Sequence, residues 1–276
     1  MAYKDILAPV LTLGEDEAAL VAAGEIAALF GARAVALIVA VHLSSDFADT
    51  PHTLSDVLAD IAAGSRSEAA REREKVVAWL EGAPHDFEVR DVRVEGAVEQ
   101  GEAEAHARVA DLVVIARADA HKRARRMLVE RTLFNAGRPL LLVPAAPVRQ
   151  RRWKRFVIGW NGKAEAMRAV SAALPLLKQA DETIIATIDA QPRAHGEAPG
   201  RDLAAHLARH DVKVELRNLD GLGRDVQQVL IQEAVTADAD SLVLGAYGHS
   251  RTQEMLFGGV TRALLAAAPL PVLLCH

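Results

Sequence analysis

Cysteine is almost missing from this chain. Cys275 stands alone among 276 residues, which excludes an intrachain disulfide and any metal centre built from several thiolates. Its place in a closing apolar run suits a small buried side chain. Aromatic residues are scarce at 4%, so alanine, valine and leucine have to fill most of the core. No run reaches the ~18 apolar residues that a membrane helix needs, and MAYKDILAPV has no long apolar stretch behind Lys4 of the kind a secretory signal carries. A cytoplasmic protein without membrane attachment is expected. A surplus of positive charge is lacking too: 32 Lys and Arg against 37 Asp and Glu leave a net charge of −5. That balance argues against a nucleic-acid or anionic-membrane partner.

What is present is a globular composition, 51% hydrophobic and 25% charged, of a length that suits one large domain or two ordinary ones. Short apolar runs alternate with helical patterns. Strands are expected at Tyr3–Val10, Ala34–Val41, Phe87–Val94, Leu112–Ala116 and Leu140–Val143. Helices are expected at Glu15–Phe30 with Gly31 as its cap, at Leu54–Leu80 and at Val98–Val109. The near-continuous apolar character of the strands fits a parallel sheet covered on both faces and built by right-handed crossovers.

The pattern then repeats. Trp153-Lys154-Arg155-Phe156-Val157-Ile158 echoes Tyr3-Lys4-Asp5-Ile6-Leu7, Ala164–Leu177 echoes the first helix, and Thr183–Ile188 the second strand. Val212–Leu219 with Asp220-Gly221 matches Phe87–Val94 with Glu95-Gly96. Ala239-Asp240 and Ser241–Leu244 match Ala110-Asp111 and Leu112–Ile115, and Pro271–Cys275 matches the strand at Leu140. The chain is a duplication of one α/β domain, residues 1–146 and 153–276, with Pro144–Arg152 as the seam.

The second copy carries Gly245, Gly248 and Gly258 at the spacing Gly-x2-Gly-x9-Gly, followed by Gly259, Val260 and Thr261. A strand, a glycine-rich loop and a helix start at Val260–Ala267 make a cradle in which backbone N–H groups approach an anion without a Cβ in the way. It is neither the Walker loop with its Lys-Ser/Thr ending nor the dinucleotide Gly-x-Gly-x-x-Gly. The other reading is that these glycines only shape a tight surface loop. The spacing resembles the nucleotide-binding signature of the universal stress protein family, and the order of elements resembles that family over nearly the whole chain, as a tandem pair of domains.

The resemblance implies two doubly wound parallel-sheet domains, an intrachain pseudo-dimer in which Leu140–Val143 lies beside Val272–Cys275, and a nucleotide at the carboxyl ends of the strands. It implies ATP or another adenine nucleotide in the second domain, with a divalent cation such as Mg²⁺ on the phosphates. The phosphates would be held by Gly245, Gly248, Gly258 and Gly259 with Val260 and Thr261. The base and ribose would lie near Asn161, Gly162 and Ile188. His249, inside the loop, either touches phosphate or packs the loop. Two positions depart from the family pattern. Gly259 stands where a hydroxyl residue is usual, and Asn161 where an acid is usual; Asn161 still donates and accepts hydrogen bonds.

The first copy has lost the signature. Ala116 and Asp119 stand in for Gly245 and Gly248, and the turn Val10-Leu11-Thr12-Leu13 keeps no acid. Its basic run His121–Arg126 reads either as a solvated helix face paired with neighbouring acids or as a grip for an anion or an acidic partner. His206 and His210, four apart on an expected helix, place two imidazoles on one face, but zinc would want further ligands; Asp202 and Asp211 are the nearest candidates, and a solvated face is the simpler reading. Ser250 has no His–Asp pattern of a nucleophilic triad around it. Trp79, Trp153 and Trp160 read as packing residues. The expected function is a nucleotide-responsive stress adaptor with at most slow ATP hydrolysis. The alternative is a stress scaffold that binds no nucleotide and acts through protein contacts. Protein partners and association of two chains are left open.

Overall fold

The computed structural model describes residues 2–42, 52–95, 101–117, 123–145, 152–190, 200–246 and 268–276. Their strands form one ten-stranded sheet in the order β3-β2-β1-β4-β5-β10-β9-β6-β7-β8. In chain order these are β1 (Asp5–Val10), β2 (Arg33–His42), β3 (Phe87–Glu95), β4 (Leu112–Ala116), β5 (Leu140–Val143), β6 (Arg155–Gly159), β7 (Glu182–Ile188), β8 (Val214–Leu219), β9 (Ser241–Gly245) and β10 (Val272–Cys275). The helices are α1 (Leu13–Phe30), α2 (His52–Glu81), α3 (Gly101–Arg108), α4 (Arg123–Arg131), α5 (Ala164–Gln179), α6 (Arg201–Ala208) and α7 (Val226–Thr236). Each half contributes five strands, and the two quintets mirror one another.

Within a half every pairing is parallel. The halves meet through β5 and β10, which pair antiparallel with Leu142 opposite Val272 and Leu140 opposite Leu274. The expected contact between the closing strands is therefore made inside one chain. The strand carboxyl ends of the two halves point to opposite ends of the sheet.

The strands near the centre are apolar at every position because helices cover both faces; β4, β5 and β10 are buried throughout. On one face α1, α2, α5 and α6 pack over a core that includes Ile6, Ala8, Phe156 and Ile158. On the other, α3, α4 and α7 cover Leu7, Val113, Val157 and Leu242. The shortage of aromatics is met by small side chains: α1 buries Ala19, Ala22, Ala23 and Ala27 against the strands, which lets the helix sit close to the sheet. Gly31 ends α1 at φ 57°, a left-handed cap, and Ala32 N–H donates to the Ala27 carbonyl at 2.9 Å.

The duplicated Ala-Asp pairs now have a physical reason. Asp111 Oδ2 accepts from the amides of Lys4 (2.7 Å) and Asp5 (3.1 Å). Asp240 Oδ2 does the same for Lys154 (2.7 Å) and Arg155 (3.0 Å). Each carboxylate satisfies the two amides at the entry to the first strand of its half and fixes it beside the fourth.

Tyr3 and Trp153 are also a matched pair, and they cross over. The Tyr3 hydroxyl of the first half donates to the Ala172 carbonyl on α5 at 2.6 Å. Trp153 of the second half donates its indole N–H to Glu25 Oε2 on α1 at 3.1 Å. Both rings are buried, and burial pushes the Tyr3 phenol far above its ordinary pKa. Trp79 and Trp160 pack at the margin of the same core. Among the described residues no helix is long and apolar enough to cross a membrane.

Because Trp153 fills a core shared by both halves, Trp153→Ala is expected to cost about 3–5 kcal/mol. The two halves should still unfold in one transition. Urea denaturation followed by far-UV circular dichroism checks both; two separated transitions would mean that the halves are independent.

Candidate functional site

In an open parallel sheet the ligand crevice lies beyond the strand carboxyl ends, where the strand order reverses. In the second half that point is between β6 and β9, since the chain goes from β6 outward to β7 and β8 and returns to β9. Gly159 pairs with Leu244 there, and Gly245 is the next residue. The turn Trp160-Asn161-Gly162-Lys163 leads from β6 into α5. Asn161 Oδ1 accepts from the Lys163 amide at 3.0 Å, so the side chain builds the turn as an Asx motif. Gly162 has φ 73°, a left-handed conformation that an L side chain rarely adopts. Ile188 ends β7 opposite Leu219. Asp189 follows at φ 48°, and its Oδ1 accepts from the Gly221 amide at 2.8 Å, tying the ends of β7 and β8 together.

Of the residues singled out from the sequence, the structure brings Asn161, Gly162 and Gly245 to this crevice and places Ile188 at the neighbouring strand end. Gly248, His249, Gly258, Gly259, Val260 and Thr261 lie outside the described residues, as do Asp119, His121 and Lys122. Gly245 has a structural reason to be glycine beside the expected one. A Cβ there would run into the backbone of Glu165 and Ala166 at the start of α5. Its missing side chain lets the helix N-terminus close on the strand end, which aims the first amides of α5 at the crevice.

The same location in the first half is already full. The buried faces of α1 and α5 align residue for residue: Asp16, Ala19, Leu20, Ala23, Ile26 and Ala27 correspond to Ala166, Ala169, Val170, Ala173, Leu176 and Leu177. Asp16 is thus the counterpart of Ala166. Its Oδ2 accepts from the amides of Leu11 (2.8 Å) and Thr12 (3.1 Å), the turn between β1 and α1. The Leu13 amide donates to Glu72 Oε1 at 2.6 Å, which holds the Glu72 carboxyl below its usual pKa. The turn itself keeps no acid, as expected, yet one carboxylate from α1 and one from α2 supply acid to it.

Arg125 balances them. It donates to both carboxylate oxygens of Asp16 and, at 3.0 Å, to Glu15 Oε2. Arg125 is 2% exposed and Asp16 0%. This corrects the reading of His121–Arg126 as a solvated face: the pairing with acids is there, but Arg125 is at the centre of the half. Arg126 fits that reading, half exposed with Glu130 at 3.9 Å. The signal was present in the spacing, since Asp16 lies on the apolar stripe of α1 and Arg125 on that of Leu128, Val129 and Thr132. Opposite charges on two buried stripes imply each other.

His206 and His210 do come together, with ring centroids 4.8 Å apart. α6 ends at Ala208, so His210 sits just past the helix rather than on it. Among the described residues no group of three His, Cys, Asp or Glu side chains is placed to hold a metal ion. Cys275 is buried, and burial pushes its thiol upward.

Breaking the buried pair from one side leaves an uncompensated charge, so Asp16→Ala or Arg125→Met is expected to cost about 3–5 kcal/mol. The double variant should lose clearly less than the sum, read from a double-mutant cycle in urea; strict additivity would mean the two groups do not act as a pair. Gly245→Ala is expected to lower stability by about 1–3 kcal/mol through the clash with α5, measurable by thermal unfolding without any ligand.

Comparison with known proteins gives a consistent result. Residues 152–276 match the model of the universal stress protein family. A universal stress protein of Mycolicibacterium smegmatis is 28% identical over 126 residues, 43% of this chain and 94% of that one. Among solved structures, a universal stress protein from Archaeoglobus fulgidus is similar over 100% of this chain and 97% of its own, at 14% identity and a TM-score of 0.67. A putative universal stress protein from Pseudomonas aeruginosa covers 99% and 93%, at 16% identity and a TM-score of 0.59. At such identities the structural likeness establishes the fold alone.

Proposed function

Because residues 152–276 match the model of the universal stress protein family, we propose that the chain is a member of it and binds an adenine nucleotide, with ATP and Mg²⁺ as the leading candidates, in its second half only. The observation that carries this reading is the exchange of Asp16 for Ala166. The first half spends its β1–α1 amides on its own carboxylates and seals them with Arg125. The second half presents the equivalent turn, Asn161-Gly162, without an internal carboxylate, beside an α5 start that Gly245 draws toward the strand ends. Amides at such a helix start favour phosphate.

Gly245 and Asn161 then frame the site, with Gly248, Gly258, Gly259, Val260 and Thr261 supplying the phosphate contacts and His249 beside them. Asn161 commits its Oδ1 to the turn and keeps its NH2 group for the ligand. Ile188 sits where a base would reach the end of β7. We read the chain as an adaptor whose surface reports nucleotide occupancy rather than as an efficient enzyme, since the contacts assigned to the phosphates are mainly backbone donors. The absence of an acid at position 161 favours a second reading, a stress scaffold without nucleotide.

Isothermal titration of ATP with Mg²⁺ into the full chain tests this, beside a Gly248→Asp variant that places in the second loop the acid carried at Asp119 in the first. About one site per chain, lost in the variant, is the expected outcome. No heat at millimolar ATP, from protein shown to be folded and free of nucleotide, leaves the scaffold reading.

A further inference from the structure

The candidate site belongs to the second half, yet two side chains of the first half reach residues on either side of β10. Ala246, fully buried, directly follows Gly245. Its amide donates to the Cys275 carbonyl at 2.8 Å, and its carbonyl is 3.1 Å from His276 Nδ1. A carbonyl only accepts, so Nδ1 carries the proton in this contact. The His276 ring in turn meets Phe134 edge to face, with centroids 5.0 Å apart and planes at 74°.

Phe134 belongs to the first half. It lies in a π-helical turn, Thr132–Ala136, that continues α4 and ends at Gly137 with φ 61°. At the opposite end of the sheet, Arg117, just past β4, donates to the Ala268 carbonyl, ahead of β10. Arg117 is partly desolvated there, which lowers its pKa. Ala246 and Ala268 bracket residues 247–267, and each is held by a side chain outside that segment, one belonging to the first half and one backed by it.

We propose that the first half is the positioning domain of the second half's nucleotide site. Phe134 acts through His276 on the Gly245-Ala246 end of β9. Its π turn and the ligand are coupled: whatever orders one orders the other. Phe134 and His276 are positioning residues, since neither reaches the turn at Asn161. This role rests on the nucleotide reading above, and it gives the filled, ligand-free half a function of its own.

The test uses the full chain and MgATP as the probe. Titration should show ATP binding about three- to tenfold weaker in Phe134→Ala and in His276→Ala, the size expected for one aromatic edge contact and for one neutral hydrogen bond respectively. His276→Asn, which can restore an N–H donor, should recover part of it. If Phe134→Ala does not fold, Phe134→Leu keeps most of the apolar volume and removes the ring edge. Hydrogen–deuterium exchange supplies a readout that a merely structural role would not move. ATP should slow exchange across Thr132–Ala136 in the wild type, and this protection should vanish in His276→Ala. Unchanged affinity in folded variants, or no ATP effect on that turn, overturns the positioning role alone. A wild type that binds no ATP overturns the nucleotide reading and the positioning role together.

Discussion

Four residues on each side decide this architecture. Leu140–Val143 and Val272–Cys275 are the strands at which each half would otherwise end in an open, apolar sheet edge. Paired antiparallel, they turn two five-stranded sheets into one and put both halves on common cores. The reciprocal contacts of Tyr3 with α5 and Trp153 with α1 depend on that alignment. So does the approach of Phe134 to His276, because β5 must run beside β10 before the turn that precedes it can face the residue that follows β10.

Duplication supplied two copies of one crevice, and the copies have taken different physical routes. In the first half, amides that need an acceptor find one in Asp16, and the desolvated carboxylate finds Arg125. The arrangement is self-contained and buried. A pair of this kind is seldom a large net gain over an apolar filling, but it is costly to open from one side. It therefore favours one arrangement of α1, α4 and the intervening turn. In the second half, alanine replaces the acid, and Asn161 closes the turn on the Lys163 amide instead.

The fold was largely legible because its determinants are local and repeated. Apolar runs of four to ten residues, helical stripes, Gly31 and the twin Ala-Asp pairs each state their structure within a few neighbours. The β5–β10 contact was legible through the family resemblance. What the sequence obscured is chemistry made by distant groups. Arg125 looked like one member of an exposed basic run, since its partner lies 109 residues away. The demand that α5 places on Gly245 was hidden, because a glycine required by a neighbouring helix and one required by a phosphate leave the same letter. His276 and Phe134 carried no motif at all; edge-to-face packing between halves has no spacing to read.

The central pairing also has a consequence for how the chain comes into being. The strand β5 is synthesised early, but its partner β10 appears only when Val272 has been added, roughly 130 residues later. At about 5–20 residues per second on the ribosome that interval is about 6–26 s. For that time a row of leucine-rich backbone donors and acceptors has nothing to bind. A nascent first half is thus open to pairing with the wrong chain, and the crowded polysome, rather than the finished molecule, is where this fold is most exposed to misassembly.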